Sequence, residues 1–398
     1  MNVLIVIAAL CLAGFLAFSP RLSKSTGWQA TATPLASIMG SGFLVSAPLL
    51  AGIVGNLAVV CMAVLLVLAY LVGNVMRFNI RHFEPIENEQ GAAQKVAFLS
   101  RMVLVGAYFI SVSYYLQLLA AFLLSSLGIE SEYGPNLISS SLILAICGIG
   151  MWKGLDQLGS VEKYAVSLNL GMIGALLLAL ALYNLRLLQA GEWTLSDVTS
   201  VIDLSDLRVL LGLLIVVQGF ETSRYLGDLY PAEQRIKTMR MAQLISTGIY
   251  LVFIGLATVL FHDGLGSDVT AIMTMTAPVA AVLPVLLAIA AIGSQFSAAV
   301  ADSEGAGGLL EDVTNRKLSM RYAYFLIMLI TLALTWETDV NAIIAYASRA
   351  FALFYALQSI VALMTARVQR KRSLVAELRF ALVGLLCFAV FLFGVPSG

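Results

Sequence analysis

The chain has 398 residues, 60% hydrophobic and only 12% charged, with 23 basic and 23 acidic side chains and a mean hydropathy of +0.93. Soluble domains are about 45–50% apolar, so the composition excludes a soluble globular fold and places the chain in the lipid bilayer. Zero net charge without a basic tail or acidic block offers no footing for nucleic acid as a partner.

Apolar runs of the roughly 20 residues that a membrane helix needs fall near 2–19, 30–53, 56–77, 98–127, 137–152, 163–189, 207–227, 241–261, 277–301, 320–336, 341–366 and 377–396. They predict an all-α membrane protein of about twelve transmembrane helices. The first run opens Met1-Asn2-Val3, without a basic side chain, and closes Ala17-Phe18-Ser19-Pro20, a poor cleavage site. It reads as a retained helix, not a signal peptide.

The second run contains Ser37-Ile38-Met39-Gly40-Ser41-Gly42-Phe43-Leu44-Val45-Ser46-Ala47-Pro48, and the seventh contains Gln218-Gly219-Phe220-Glu221-Thr222-Ser223. Both put glycine and polar residues at mid-span. A helix broken there frees N–H and C=O groups that lipid cannot satisfy, so the break must be buried in protein or line a polar cavity. Two such breaks in corresponding positions of two halves mark the midplane site of a secondary transporter. At the first, Gly40, Ser41, Gly42 and Phe43 offer amides at a half-helix N-terminus to a carboxylate or other anion, with glycine permitting close approach. The alternative is that Gly40 and Gly42 only allow tight helix packing. At the second, Gln218, Gly219, Phe220 and Glu221 are the expected substrate contacts. An ionisable residue at that depth is a functional candidate: Glu221 could take a proton, meet a substrate amine or pair with Arg349, or could form a purely structural ion pair.

On the fourth run, Tyr108, Tyr114 and Tyr115 can cover a site lined by the breaks, Tyr114 being the chosen contact, or serve only as packing. The ninth run carries Ser294, Gln295 and Ser297, then Asp302, Ser303 and Glu304. At helical spacing Ser294 and Ser297 lie about 60° apart and can share a ligand, unless their hydroxyls bond back to the preceding turn. Asp302 and Glu304 lie further toward the cytoplasm and fit an inner gate or proton relay. Arg349, one turn after Tyr346, is a mid-span guanidinium that needs a partner; Glu221, Asp302 and Glu304 are the candidates by depth. Cys11, Cys61, Cys147, Cys387, His82 and His262 are scattered without ligand spacing, which predicts neither a His/Cys metal site nor a cofactor. No Ser/His pairing or nucleotide loop suggests an enzyme.

Twenty of the 23 Lys and Arg fall in the loops after the first, third, fifth, seventh, ninth and eleventh runs, and acids such as Glu130, Glu132, Asp263 and Asp268 in the others. By the positive-inside rule both termini face outward. The chain then divides into an extra helix and cytoplasmic loop (1–29), a first repeat (30–189, broken at 38–43), an external connector (190–205), a second repeat (206–366, broken at 218–223), and a basic loop with a final helix (367–398). Five spans per repeat is an odd number, so the second repeat is inverted relative to the first.

The residues 36–48, then Gly219-Phe220-Glu221 with Tyr225-Leu226-Gly227-Asp228, Pro231, Arg235 and Arg240-Met241-Ala242, and the helix from Asp339 to the basic cluster ending at Arg372, together resemble the amino acid, polyamine and organocation (APC) superfamily. The resemblance implies a LeuT-type five-plus-five core with one extra helix before and one after. It implies an ion-coupled carrier, a symporter by preference, for an amino acid or related small amine or zwitterion, in a bacterial inner membrane. Na⁺-coupled transporters of this fold hold the ion with hydroxyls and carbonyls that correspond here to Ser294, Ser297, Ser37 and Ile38. Proton-coupled relatives can place a lysine where this chain has Asn169, which favours Na⁺ over H⁺. A nucleobase or osmolyte carrier, an exchanger, a channel and a non-transporting sensor are the competing readings.

Overall fold

Lipid leaves a spanning backbone little choice but helix, and the described residues contain helices and turns with no strand. The computed structural model describes residues 1–40, 42–198, 201–266, 268–368 and 373–396, with Ser23 and 156–163 described by backbone alone. The helices are α1 (Asn2–Phe18), α2 (Pro20–Ser23), α3 (Thr26–Gly40), α4 (Phe43–Val54), α5 (Ala58–His82), α6 (Ala92–Ser126), α7 (Gly134–Lys153) and α8 (Asp156–Ala190). They continue as α9 (Leu204–Leu211), α10 (Ala232–Ala257), α11 (Ile272–Thr276), α12 (Leu283–Val313), α13 (Met320–Glu337), α14 (Val340–Val368) and α15 (Leu374–Phe393).

Among the described residues, nine stretches are helical, long and apolar enough to cross a membrane. The difference from about twelve lies in three places. Thr26–His82 joins α3, α4 and α5 in one apolar stretch. The expected seventh span holds no long helix, only α9 and two 3₁₀ segments, Leu214–Val217 and Phe220–Leu226. The expected tenth, α13, has 18 residues with Arg321 and Glu337 near its ends and is not among the nine.

At the centre, α6 packs against α7, α12, α13 and α14, while α1 lies along α8 and α15 along α14. The α1–α8 contact depends on small residues, as membrane helix packing commonly does: a Cβ on Gly171 would stand 2.6 Å from the Ala13 nitrogen.

α3 ends at Gly40 and α4 begins at Phe43, with Gly42 at φ 167°. Ser41, expected as a substrate contact, lies outside the described residues, as do Arg370, Lys371 and Arg372 of the basic cluster. The second irregular stretch is longer than the six-residue motif suggested. Helix stops at Leu211, Gln218 is extended, Gly219 takes φ 118°, and a seven-residue 3₁₀ segment follows. Such runs rarely exceed three or four residues in ordinary folds.

Candidate functional site

The two breaks touch each other. A Cβ on Gly219 would stand 2.6 Å from the Ser37 carbonyl carbon and 2.7 Å from the Ile38 nitrogen, and one on Gly42 would stand 3.1 Å from the Val216 Cα. Each glycine thus admits the other break's backbone or its immediate side chain. Gly219 is doubly required, because its positive φ also disfavours any residue with a Cβ.

Freed backbone groups at both breaks find partners, as burial demands. Tyr250 of α10 donates its hydroxyl to Ile38 O at 3.2 Å and to Val216 O at 2.5 Å, bridging the two breaks. Gln295 of α12 donates through Nε2 to Gly40 O at 2.8 Å. At the second break freed donors are satisfied as well. Ile215 N–H donates to Ser348 Oγ at 2.9 Å, and Gly219 N–H donates to Glu221 Oε2 at 3.0 Å. The same carboxylate oxygen accepts from the Tyr355 hydroxyl at 2.7 Å, and the Tyr355 ring stacks on Phe220 with centroids 5.5 Å apart. Glu221 is 1% exposed and serves the backbone of its own break.

A cavity of about 550 Å³ opens beside this junction. Its inner end is marked by Ser37, Thr222 and Ser294, next to the breaks; its outer end by Asp228, Gly308 and Leu309. Fifteen residues of α12 separate Ser294 from Leu309, about 22 Å of helix, so the cavity runs from mid-span to one end of the bundle. The charged residues on its wall are Asp228, Asp302 and Glu304, with no Lys, Arg or His among the described lining residues. Asp302 accepts a hydrogen bond from Ser111 of α6.

The expected site residues sort into three places. Ser37, Asn169, Ser294, Ser297, Asp302 and Glu304, on three helices, line the cavity together. Ile38, Gly40, Gly42, Phe43, Gln218, Gly219, Phe220, Glu221 and Tyr114 are buried at or behind the breaks. The Ser294 hydroxyl bonds back to Ala291 O at 3.2 Å, the alternative weighed for it, while still facing the cavity. Arg349 is a correction. Its Nε donates to Phe391 O of α15 at 2.8 Å with the guanidinium 5.9 Å from the Phe391 ring, away from Glu221 and Asp302, because its face of α14 is the one covered by α15. Sequence reasoning passed over Tyr250 and Tyr355, whose roles rest on long-range contacts. The only signal was a hydroxyl inside an apolar run. Gln295 and Ser348 carried the same weak sign.

Three crystal structures of mutants of a manganese transporter from Eremococcus coleocola cover 92% of this chain and 87% of their own, with TM-scores of 0.57–0.58 at 13% identity. That identity establishes likeness of fold alone. A family model described as APC superfamily transporter matches residues 20–394, and the chain belongs to this family. A relative from Aquifex aeolicus (strain VF5), described as an uncharacterized protein, is 41% identical over 362 residues, 89% of this chain and 88% of its own.

Proposed function

We propose that the chain is an ion-coupled secondary transporter, a symporter, that carries a small amine-bearing metabolite, foremost an amino acid, by alternating access around its two breaks. The observation that carries this reading is the cavity that ends at both breaks and whose charged wall, among the described residues, is acidic. An ammonium group is attracted by such a wall in a low-dielectric site. The proposed place for a substrate carboxylate is the N-terminus of α4, at the amides of Gly42 and Phe43. Na⁺ is the proposed coupling ion, held by Ser37, Ile38, Ser294 and Ser297 with Asn169 alongside; Ser37, Asn169, Ser294 and Ser297 all line the cavity. Twelve spans, an inverted five-plus-five core, outward termini and a bacterial inner membrane complete the proposal. The manganese named for the structural neighbours suits this chain less well, because among the described residues no three His, Cys, Asp or Glu stand together as a metal site would need.

The test is thermal unfolding of the detergent-purified protein against amino acids, amines, nucleobases and osmolytes, each in NaCl and in choline chloride. A ligand at a hundredfold excess over Kd stabilises the folded state by about 2.7 kcal/mol. Stabilisation by an amino acid or amine that requires Na⁺ supports the whole reading. A hit that ignores Na⁺ moves coupling to protons, and a nucleobase or osmolyte hit alone overturns the substrate.

A further inference from the structure

Away from the cavity, α5 and α10 leave a lipid-facing cleft of about 230 Å³, lined by Ala63, Val67 and Tyr70 from one helix and Leu244, Thr247 and Leu251 from the other. Val67 and Leu244 are 60% and 55% exposed, so the cleft is open to the membrane along its length. Its two walls continue along the same helix faces toward the end of the bundle where α5 stops and α10 starts. Steps of three or four residues lead from Ala63 through Val67, Tyr70 and Asn74 to Arg77, and from Leu251 through Thr247 and Leu244 to Arg240. These stretches rise about 21 Å and about 16 Å, close to the ~15 Å depth of one hydrocarbon leaflet.

The mouth of the cleft carries positive charge that the protein leaves uncompensated. Arg77 is 4% exposed, yet its partners are neutral: Gln243 Oε1 at 2.5 Å, Asn74 Oδ1 at 2.8 Å, Tyr70 O at 3.4 Å and the Tyr70 ring at 4.9 Å. Its buried Nε has no hydrogen-bond partner among the described residues. Arg240, exposed one turn before Gln243, is close enough for its charge to act on Arg77. No carboxylate among the described residues pairs with either, whereas Arg81, one turn beyond Arg77, is neutralised by Glu233 at 2.7 Å. A buried guanidinium without a counter-charge is costly, and basic pockets between membrane helices are suited to anionic lipid headgroups.

We propose that this cleft seats an anionic phospholipid, with one acyl chain between α5 and α10 and the phosphate against Arg240 and Arg77. The continuity of apolar cleft and cationic mouth selects a lipid over a free anion, which would use the mouth alone. The orientation proposed above puts the headgroup in the cytoplasmic leaflet.

Native mass spectrometry of the full-length protein, exposed to equal amounts of phosphatidylglycerol and phosphatidylcholine with identical acyl chains, tests the assignment. Phosphatidylglycerol should be retained in preference. Arg240→Ala should lower its retention about fivefold, the weight of one basic side chain near a membrane surface, with phosphatidylcholine unchanged. Val67→Trp, on the exposed lipid face, should lower it by filling the cleft, and decides the matter should Arg240→Ala fail to fold. Equal retention of the two lipids, or retention indifferent to both substitutions, overturns the proposal. So does inorganic phosphate displacing the lipid at equal concentration, which would reduce the site to a free-anion site.

Discussion

The two breaks solve one problem with different partners. At the first, the freed groups that find partners are carbonyls, and the partners are neutral donors brought by other helices, Tyr250 and Gln295. At the second, beside the Val216 carbonyl that Tyr250 also reaches, N–H groups find partners as well, a hydroxyl, Ser348, and a carboxylate two residues along the chain, Glu221. A neutral clamp holds its geometry at any pH, whereas a carboxylate changes its hydrogen bonding when it gains a proton or meets a cation. Of the two sets of partners, the one at the second break therefore contains the ionisable group. Tyr250 couples the breaks through one hydroxyl.

The largest effect should come where the breaks meet. Gly219→Ala adds a Cβ within 2.6 Å of the Ser37 carbonyl carbon at a backbone φ of 118°. We expect a loss of about 3 kcal/mol or more from collision and strain together, seen as a large fall in melting temperature and loss of transport. A melting temperature near wild type would mean that the breaks do not pack as described.

Glu221→Ala should follow, at about 2–5 kcal/mol, because it leaves two buried donors, Gly219 N–H and the Tyr355 hydroxyl, without their acceptor. Glu221→Gln keeps an acceptor oxygen and should restore most of the stability while altering the pH dependence of transport. If Gln and Ala behave alike in unfolding, the clamp role assigned to the carboxylate is wrong.

Tyr250→Phe removes one donor from two carbonyls, an expected cost of about 1–2 kcal/mol. Combined with Tyr355→Phe in a double-mutant cycle, it asks whether the breaks are coupled. Additive losses in the melting free energy would make them independent.

Arg349→Lys should be the mildest, within about 1 kcal/mol, since the residue caps a carbonyl of α15 at the edge of the bundle. A changed substrate range in uptake assays would return Arg349 to the transport path.

Much of this arrangement was legible beforehand, and the reason is lipid. Because the bilayer penalises every polar or flexible residue at mid-span, Gly40, Gly42, Gln218, Gly219 and Glu221 stood out against runs of Leu, Val and Ile, and helical spacing grouped Ser294 with Ser297. Ser294 and Ser297 do line one cavity, and Gly42 and Gly219 lie where the two breaks touch. Arg349 was equally conspicuous, but depth along a helix does not say which face a neighbour covers, and α15 covers that one.

The sequence by itself determined the membrane, the family and the positions of the breaks, because these depend on composition and order along one chain. Only the tertiary structure decided that Tyr250 bridges both breaks, that Glu221 turns back onto its own backbone, and that six polar residues from three helices share one cavity. Hydrogen bonds across 34 to 255 residues, such as Tyr250 to Val216 and Gln295 to Gly40, have no local signature. They exist only once packing has brought the partners within about 3 Å of each other.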